Sequence, residues 1–295
     1  MARLPDRPGS LNQLKRLGDA IRDDDAAAFG GLHYNEVWGW CNELVAAAVR
    51  DITDLDLARL LDQPTNVSVT GRAKIRQTVR EKLQRRRNEK LPSIQDLAGV
   101  RVEADMTLTD QDRLIEAIRL RFNQDEEAVH DLRDGTHAGY RGVHLWVRLN
   151  EPRGAWFEVQ VRTELQGRWA NMFEALADVY GRGIRYGEEA ATSEAQEIVE
   201  MAQRLATTQL AAVEELQDLW RAVRRSGNLD DESHLVALLE RLGSDSGRAR
   251  QAAHLALDPS DETIDRFIAD AVAVLAQGLL GVENVVRSFS QGKGE

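Results

Sequence analysis

The sequence has a single cysteine and no long apolar segment free of charge. Cys41 permits no internal disulfide and forms no CxxC pair for zinc. The most apolar stretch, residues 268–286, is interrupted by two acidic residues and a glutamine, so we expect it not to span a membrane. The N-terminus lacks the apolar core of a signal peptide. These absences predict a soluble protein of the cytoplasm.

Aromatic residues are also scarce, at 5% of the 295 positions, and the chain contains no internal repeat. Its six histidines show no metal-ligand spacing, which argues against a zinc site. With 42% apolar and 29% charged residues the chain is long enough to bury a substantial core. This composition excludes a disordered tail and a small disulfide scaffold.

The charge of the chain is unevenly distributed. The net charge is −11, yet residues 71–101 hold ten lysines and arginines against three carboxylates. A basic segment in an acidic protein is typical of a local anion site, because the remainder repels extended polyanions. The alternative is a solvated basic helix face, and composition alone leaves both open.

The order of predicted elements indicates an α+β protein. Residues 9–62 have helical periodicity, and residues 189–290 are helical throughout, with Ser193 and Gln196 as a capping box. Between them we predict four strands, at 66–70, 99–104, 142–149 and 155–162, the last two joined by a turn at 150–154. Three helices are predicted among them, at 74–88, after an N-cap at Thr109, and at 164–180.

Two patterns in this centre suggest chemistry. Four residues spaced by four would form one row along a helix, beside an apolar row that faces the sheet; they are Lys74, Thr78, Lys82 and Arg86, and the apolar row is Ile75, Val79 and Leu83. Such a row suits a polyphosphate. In the last strand Glu158, Gln160 and Arg162 alternate with apolar residues. On pattern alone, an ordinary half-exposed strand explains this second motif better than a strand whose polar face forms the floor of a binding site.

Two further motifs are weak individually. Asp96 lies at the entry to a strand, where it could be a metal ligand or a turn cap. The segment 139–144 places glycines around an aromatic and a cation, which suits base stacking but also an ordinary loop.

Taken in order, these motifs resemble the synthetase domain of the RelA/SpoT family over residues 65–185. The resemblance rests on GRAKIRQTVREK at 71–82, QDLAGVRV at 95–102, GYRGVH at 139–144, FEVQVRT at 157–163 and the pair Trp169-Ala170. It implies a mixed five-stranded sheet flanked by helices, the nucleotidyltransferase-like synthetase fold, with helical extensions at both ends. We expect three parts: a helical segment 1–64, the synthetase domain 65–188 and a helical extension 189–295.

The resemblance also implies an activity and a set of site residues. The activity is ATP-dependent pyrophosphokinase, which moves the β,γ-diphosphate of ATP to a 3′-hydroxyl with Mg²⁺ as cofactor. The implied catalytic and metal-binding residues are Asp96 and Glu158, with Glu158 contacting the metal or acting as base. The implied ATP-binding residues are Arg72, Lys74, Thr78, Lys82 and Arg101, with the two arginines against the adenine. The implied acceptor-binding residues are Tyr140, Arg141, His144, Gln160 and Arg162.

Departures from the family pattern leave the acceptor open. Residues 135–138 read GTHA where alarmone-making members carry Lys-Pro-Asn, which weakens a guanine nucleotide as acceptor. We favour a purine nucleotide, giving a (p)ppGpp- or (p)ppApp-type alarmone. The alternative is a toxin that modifies the 3′ end of tRNA, gripped by Arg85, Arg86, Arg87 and Lys90. A third interpretation is a catalytically silent binding module.

The flanking helices predict a small single-domain synthetase. We expect no hydrolase domain before residue 65, because 64 residues cannot hold one, and we expect no regulatory segment after the synthetase motifs. The acidic helices of 189–295 could pair with an antitoxin or with a second copy of the chain.

Overall fold

The computed structural model describes residues 5–24, 28–29, 31–62, 65–149, 155–227, 229, 232–243, 246–255 and 262–291. They form two compact units. The first, which we call the sheet unit, combines residues 1–104, 112–131 and 143–161. The second, the helical unit, combines residues 105–111, 132–142 and 162–295. The predicted three-part division along the chain stays a prediction.

The sheet unit contains a mixed five-stranded sheet, as predicted. Its strands are β3 (Thr65–Ala73), β4 (Ala98–Asp105), β5 (Val129–Asp131), β6 (Val143–Leu149) and β7 (Ala155–Thr163). Their spatial order is β3-β4-β7-β6-β5, and β5, β6 and β7 pair antiparallel. The short strands β1 (Ala28–Phe29) and β2 (Leu32–His33) form a separate antiparallel pair. The turn predicted at 150–154 lies outside the described residues.

The apolar alternation of the strands builds the core. In β7 the side chains of Phe157, Val159 and Val161 are fully buried, and the rings of Phe122 and Phe157 form a T-shaped pair with centroids 5.0 Å apart. Strand β5 was not predicted, because three residues are too short for an alternation to be recognised. Strand β3 is longer than predicted and continues through Gly71 to Ala73.

Helices cover this sheet. They are α1 (Leu11–Asp23), α2 (Tyr34–Thr53), α3 (Leu57–Leu60), α4 (Arg76–Arg85) and most of α5 (Leu108–Arg121). Helix α1 begins with a capping box between Ser10 and Gln13. In α2, Cys41 is buried, and burial raises the pKa of its thiol to about 12, as befits an inert packed residue.

One position of the predicted apolar row differs from expectation. Val79 and Leu83 are buried as expected, but the Ile75 side chain is 59% exposed, because α4 begins only at Arg76 and the helical row does not extend back to it. Trp40 is buried, whereas Trp38 is 43% exposed on the outer side of α2.

The helical unit contains α6 (Glu164–Tyr180), α7 (Ser193–Leu205), α8 (Ala211–Ser226), α9 (Glu232–Arg241), α10 (Ser246–Leu255) and α11 (Thr263–Gln291). A π-helical turn, Ala206–Leu210, joins α7 to α8. Two predicted caps are displaced. Thr192 rather than Ser193 caps α7, accepting from the amide of Ala195. Thr107 rather than Thr109 accepts the amide of Asp110 at the start of α5.

Helix α11 is long and apolar enough, by length and composition, to cross a membrane over residues 263–288. The interrupting polar residues led us to expect the opposite. These two criteria alone are weak evidence for a span, and α11 packs along α6 within the helical unit.

Candidate active site

Two lysines of the basic segment meet at one carboxylate in the sheet unit. The Nζ atom of Lys82, on α4, lies 2.8 Å from Oδ1 of Asp96. The Nζ atom of Lys74, between β3 and α4, lies 3.0 Å from Oδ2 of the same side chain. Asp96 itself lies in a short 3₁₀ turn, Gln95–Leu97, immediately before β4. Each carboxylate oxygen therefore has its own ammonium partner.

Close packing and backbone hydrogen bonds hold Lys74 in place. A Cβ atom at Gly71 would lie 2.4 Å from a methyl of Val45 and 2.9 Å from the carbonyl of Gly99, so only glycine fits. The amide of Lys74 donates to the carbonyl of Leu97 at 2.8 Å. The hydroxyl of Tyr34, on α2, donates to the carbonyl of Lys74 at 2.6 Å. Tyr34 was not predicted, and no local motif around it signals this role.

Only part of the predicted row of Lys74, Thr78, Lys82 and Arg86 lies on α4. Lys74 precedes the helix, yet its side chain still reaches Asp96, as Lys82 does. Thr78 is half-buried and Arg86, at the end of the helix, is exposed. The two arginines assigned to the adenine lie on adjacent strands: Arg72 is exposed on β3, and Arg101 of β4 is 3.6 Å from Glu103.

A second cluster of polar side chains surrounds Glu158 on β7. Oε1 of its carboxylate is 3.0 Å from Nδ1 of His144 and accepts the Trp146 indole N–H at 3.3 Å. Oε2 accepts the amide of Gln160 at 2.7 Å. Antiparallel register places His144 opposite Gln160 and Trp146 opposite Glu158, so all four side chains lie on one face of the sheet. Glu158 is only 8% exposed, so this face of β7 is more buried than the half-exposed strand that the pattern favours, and its role as the floor of a site stays a prediction.

This environment keeps the carboxylate ionised. Burial raises the pKa of Glu158, but the hydrogen bond and charge of His144, the Gln160 amide and the charge of Lys74 outweigh it. Together they lower the pKa to about 2. The influence of Lys74 on Glu158 also links the two clusters electrostatically within the sheet unit.

His130 extends the Glu158 cluster and was missed by sequence reasoning. Its strand, β5, pairs with β6 so that His130 faces His144, and its ring packs on Trp146 with centroids 3.8 Å apart. Burial lowers the pKa of His130, and the charge of His144 lowers it further. Two histidines and an amide thus form one row across β5, β6 and β7.

The remaining acceptor candidates lie in the helical unit. Nε of Arg162 donates to the hydroxyl of Tyr140 at 2.9 Å, and its guanidinium carbon is 5.0 Å from the centroid of that ring. Arg141 is buried against Glu214 of α8, with Nη2 and Nε 3.0 and 3.2 Å from Oε2. Burial raises the pKa of Glu214, and Arg141, Thr163 and Gln166 oppose that rise.

The cations assigned to tRNA lie at and after the end of α4. Arg85, Arg86 and Arg87 are exposed, and Lys90 is 2.9 Å from Asp19 of α1. These positions are in the sheet unit.

The residues present fit a magnesium ion carried by a nucleotide. No group of three or more histidine, cysteine or acidic side chains could hold a metal among the residues that the structure describes. Mg²⁺ bound with a nucleotide needs only one or two protein carboxylates, since phosphates and waters complete its octahedron. Asp96 and Glu158 would be the carboxylates that hold such an ion.

Comparison with known proteins supports the family resemblance. Residues 71–180 match the family described as a region found in RelA / SpoT proteins. Uncharacterised proteins from Mycobacterium bovis and from two strains of Mycobacterium tuberculosis are each 47% identical over 184 residues. The match covers 61% of this chain and 63% of each relative, so the chain spans less than two thirds of their length.

Solved structures were compared as well. The small alarmone synthetase 1 from Bacillus subtilis is 18% identical, with 65% of this chain and 98% of that chain covered and a TM-score of 0.49. A GTP pyrophosphokinase family protein from Streptococcus pneumoniae is 20% identical, with 65% and 95% covered and a TM-score of 0.46. The match of residues 71–180 to the region found in RelA / SpoT proteins confirms the resemblance that the motifs predicted.

Proposed function

We propose that this protein is an ATP-dependent pyrophosphokinase that transfers the β,γ-diphosphate of ATP to the 3′-hydroxyl of a nucleotide. One observation carries the proposal: within a RelA/SpoT region, Lys74 and Lys82 converge on Asp96. Two ammonium groups around one carboxylate suit a polyphosphate and its metal.

Binding of ATP would exchange partners in this cluster. The β- and γ-phosphate oxygens carry several negative charges, so they compete with Asp96 for the ammonium groups of Lys74 and Lys82. Asp96, released from the lysines, would then be free to hold Mg²⁺ with the phosphates, and that ion would supply neutralisation of charge on the transferred group. Arg72 and Arg101 would hold the adenine by guanidinium stacking.

The reaction is a displacement at the β-phosphorus of ATP. The 3′-oxygen of the acceptor forms a bond to this phosphorus, and the bond to the oxygen that bridges the α- and β-phosphates breaks. AMP leaves, the acceptor gains a diphosphate, and the hydroxyl proton is released. Such transfers depend mainly on in-line positioning and charge neutralisation. Lys74 and Lys82 would supply the neutralising charge, and Glu158 would help to position the acceptor hydroxyl.

Glu158 would orient the attacking hydroxyl. A carboxylate whose pKa is about 2 is a weak proton acceptor at neutral pH, but it accepts a hydrogen bond strongly. We therefore assign Glu158 to holding the 3′-hydroxyl, or the metal beside it, rather than to early removal of the proton. His144 and Gln160, which bond to Glu158, would fix its position and contact the acceptor.

The favoured acceptor is a purine nucleotide, with Tyr140 as its stacking ring. The product would be an alarmone of the (p)ppGpp or (p)ppApp type. Incubation with γ-³²P-ATP and Mg²⁺, and separately GDP, GTP, AMP or bulk tRNA, tests both the activity and the acceptor. We expect label on a nucleotide with one AMP released per transfer. No AMP release with any acceptor would favour a silent binding module.

A specific observation supports tRNA as a second candidate acceptor. Three consecutive arginines, 85–87, are exposed at the end of α4, and phosphate contacts by clustered cations dominate binding to nucleic acids. In this case the protein would act as a toxin that blocks the tRNA 3′ end, and the acidic helices after residue 189 could receive a neutralising partner. Replacing all three arginines with alanine should then reduce labelling of tRNA while leaving labelling of GDP or AMP unchanged.

A further inference from the structure

The loop of residues 132–142, which carries Tyr140, rests on the segment that joins α7 to α8. Gly135 and Gly139 have φ angles of +73° and +80°. A Cβ atom at Gly135 would lie 2.6 Å from a methyl of Thr207 in the π-helical turn. One at Gly139 would lie 2.9 Å from Cα of Gln203, at the end of α7. The loop backbone therefore lies directly against helices of the C-terminal extension.

A buried ion pair ties the same loop to α8. Glu214 is 2% exposed and Arg141 is 7% exposed. The two guanidinium contacts on Oε2 leave Oε1 to accept the hydroxyl of Thr163, at 2.5 Å, where β7 ends. Arg141 also donates to the carbonyl of Arg133 within the loop. One carboxylate thus joins the loop, the end of β7 and α8.

The ion pair with Glu214 limits the ability of Arg141 to bind an acceptor phosphate. Separating a buried ion pair leaves two uncompensated charges, which is strongly unfavourable. An acceptor phosphate would have to remove Arg141 from Glu214 to use it. Arg141 is therefore better suited to hold the loop than to bind the acceptor.

We propose that Glu214 is a positioning residue that, through Arg141, fixes the loop 132–142 and so presents Tyr140 to the acceptor. This inference rests on the proposed function and deepens it. The acceptor subsite depends on a carboxylate from the extension after residue 189, more than fifty residues beyond the loop it holds. ATP binding, which uses Lys74, Lys82 and Asp96, is independent of Glu214.

The test compares Glu214→Gln with Glu215→Gln in the full chain. Glu215 is the neighbouring carboxylate on α8 and pairs at the surface with Arg241, at 2.9 Å, so it is a matched control. For Glu214→Gln we expect hydrogen exchange in residues 132–142 to be at least tenfold faster and the acceptor KM to rise at least tenfold. The KM for ATP should stay within twofold, and Glu215→Gln should resemble wild type in every respect.

Unchanged exchange in the loop, or an equal rise in both KM values, would overturn the proposal. Glu214→Asp keeps the charge on a shorter side chain and serves if Glu214→Gln does not fold. If the wild-type protein transfers diphosphate to no acceptor, the proposed function fails and the acceptor role fails with it. The exchange measurement still decides whether Glu214 anchors the loop.

A double variant separates anchoring from direct binding. Arg141→Met with Glu214→Leu replaces the ion pair by apolar side chains of similar size. If the pair only holds the loop, the acceptor KM of the double variant should lie closer to wild type than that of Arg141→Met alone. Equal KM values in the two variants would instead mean that Arg141 contacts the acceptor itself.

Discussion

Lys82 and Asp96 form an ion pair of 2.8 Å between residues fourteen positions apart in the chain. The pair joins the inner side of α4 to the 3₁₀ turn before β4, and Lys74 approaches the other oxygen of the carboxylate. Sequence composition alone did not decide whether the basic segment 71–101 is a solvated helix face or an anion site. The structure shows that two of its lysines, Lys74 and Lys82, point toward Asp96.

Lys82→Ala should weaken the binding of Mg-ATP. The loss of one charge-assisted contact is worth about 1.5–3 kcal/mol, which corresponds to an affinity roughly 10- to 150-fold lower. Isothermal titration with ATP in excess Mg²⁺ measures it. Gln77→Ala, an exposed position on the same helix, is the control. Equal affinities for Lys82→Ala and wild type would mean that Lys82 does not contact the phosphates.

Glu158→Gln should leave ATP affinity within about twofold of wild type and lower diphosphate transfer on the order of 10²- to 10⁴-fold. Glutamine keeps the shape and can still bond to its neighbours, but it lacks the charge that orients the hydroxyl or the metal. Single-turnover transfer from γ-³²P-ATP measures the effect. Glu127→Gln, an exposed carboxylate in the same unit, is the control, and wild-type turnover by Glu158→Gln would remove Glu158 from the mechanism.

Folding stability should depend on pH through Glu158. Its folded-state pKa of about 2 lies below the unfolded value near 4.5, so the stabilisation is complete above pH 4.5 and is lost as the pH falls toward 2. The pKa difference corresponds to about 3 kcal/mol. Urea unfolding of wild type and Glu158→Gln at pH 6, 4 and 3 should show the difference between them shrinking as the pH falls. A difference that is constant with pH would contradict this assignment.

Tyr34→Phe should lower the free energy of unfolding by about 1 kcal/mol, because it removes the hydroxyl that donates to the carbonyl of Lys74. ATP affinity should fall too, by less than in Lys82→Ala, since the Lys74 side chain remains. Urea unfolding and ATP titration measure the two effects. Tyr180→Phe, at the end of α6, is the control, and an unchanged ATP affinity in Tyr34→Phe would limit Tyr34 to a structural role.

Residue spacing predicted much of the sheet, and the family resemblance suggested the two groups of charged residues. Alternation located β6 and β7 to within a residue or two, and from that register Glu158 and Gln160 share a face. The ordered motifs then identified Lys74, Lys82 and Asp96 as one group, which the structure brings into contact. The strands could be predicted because each depends on local periodicity, and the role of Lys74, Lys82 and Asp96 in binding ATP stays a prediction.

Other features could not be predicted because they depend on contacts distant in sequence. Tyr34 is forty positions from Lys74, and Glu214 is seventy-three from Arg141, and neither lies in a recognisable motif. His130 lies in a strand of three residues, too short to show a period. The helical row failed at Ile75 because periodicity does not mark where the first turn of a helix begins.

We propose that Lys74, Lys82, Asp96 and Glu158 act together on one ATP–magnesium complex. ATP titration of wild type and Asp96→Asn, each with Mg²⁺ and with EDTA, tests it most directly. We expect Mg²⁺ to strengthen ATP binding to wild type at least tenfold and to have little effect on ATP binding to Asp96→Asn. An equal Mg²⁺ effect on both proteins, or no ATP binding by wild type, would contradict it.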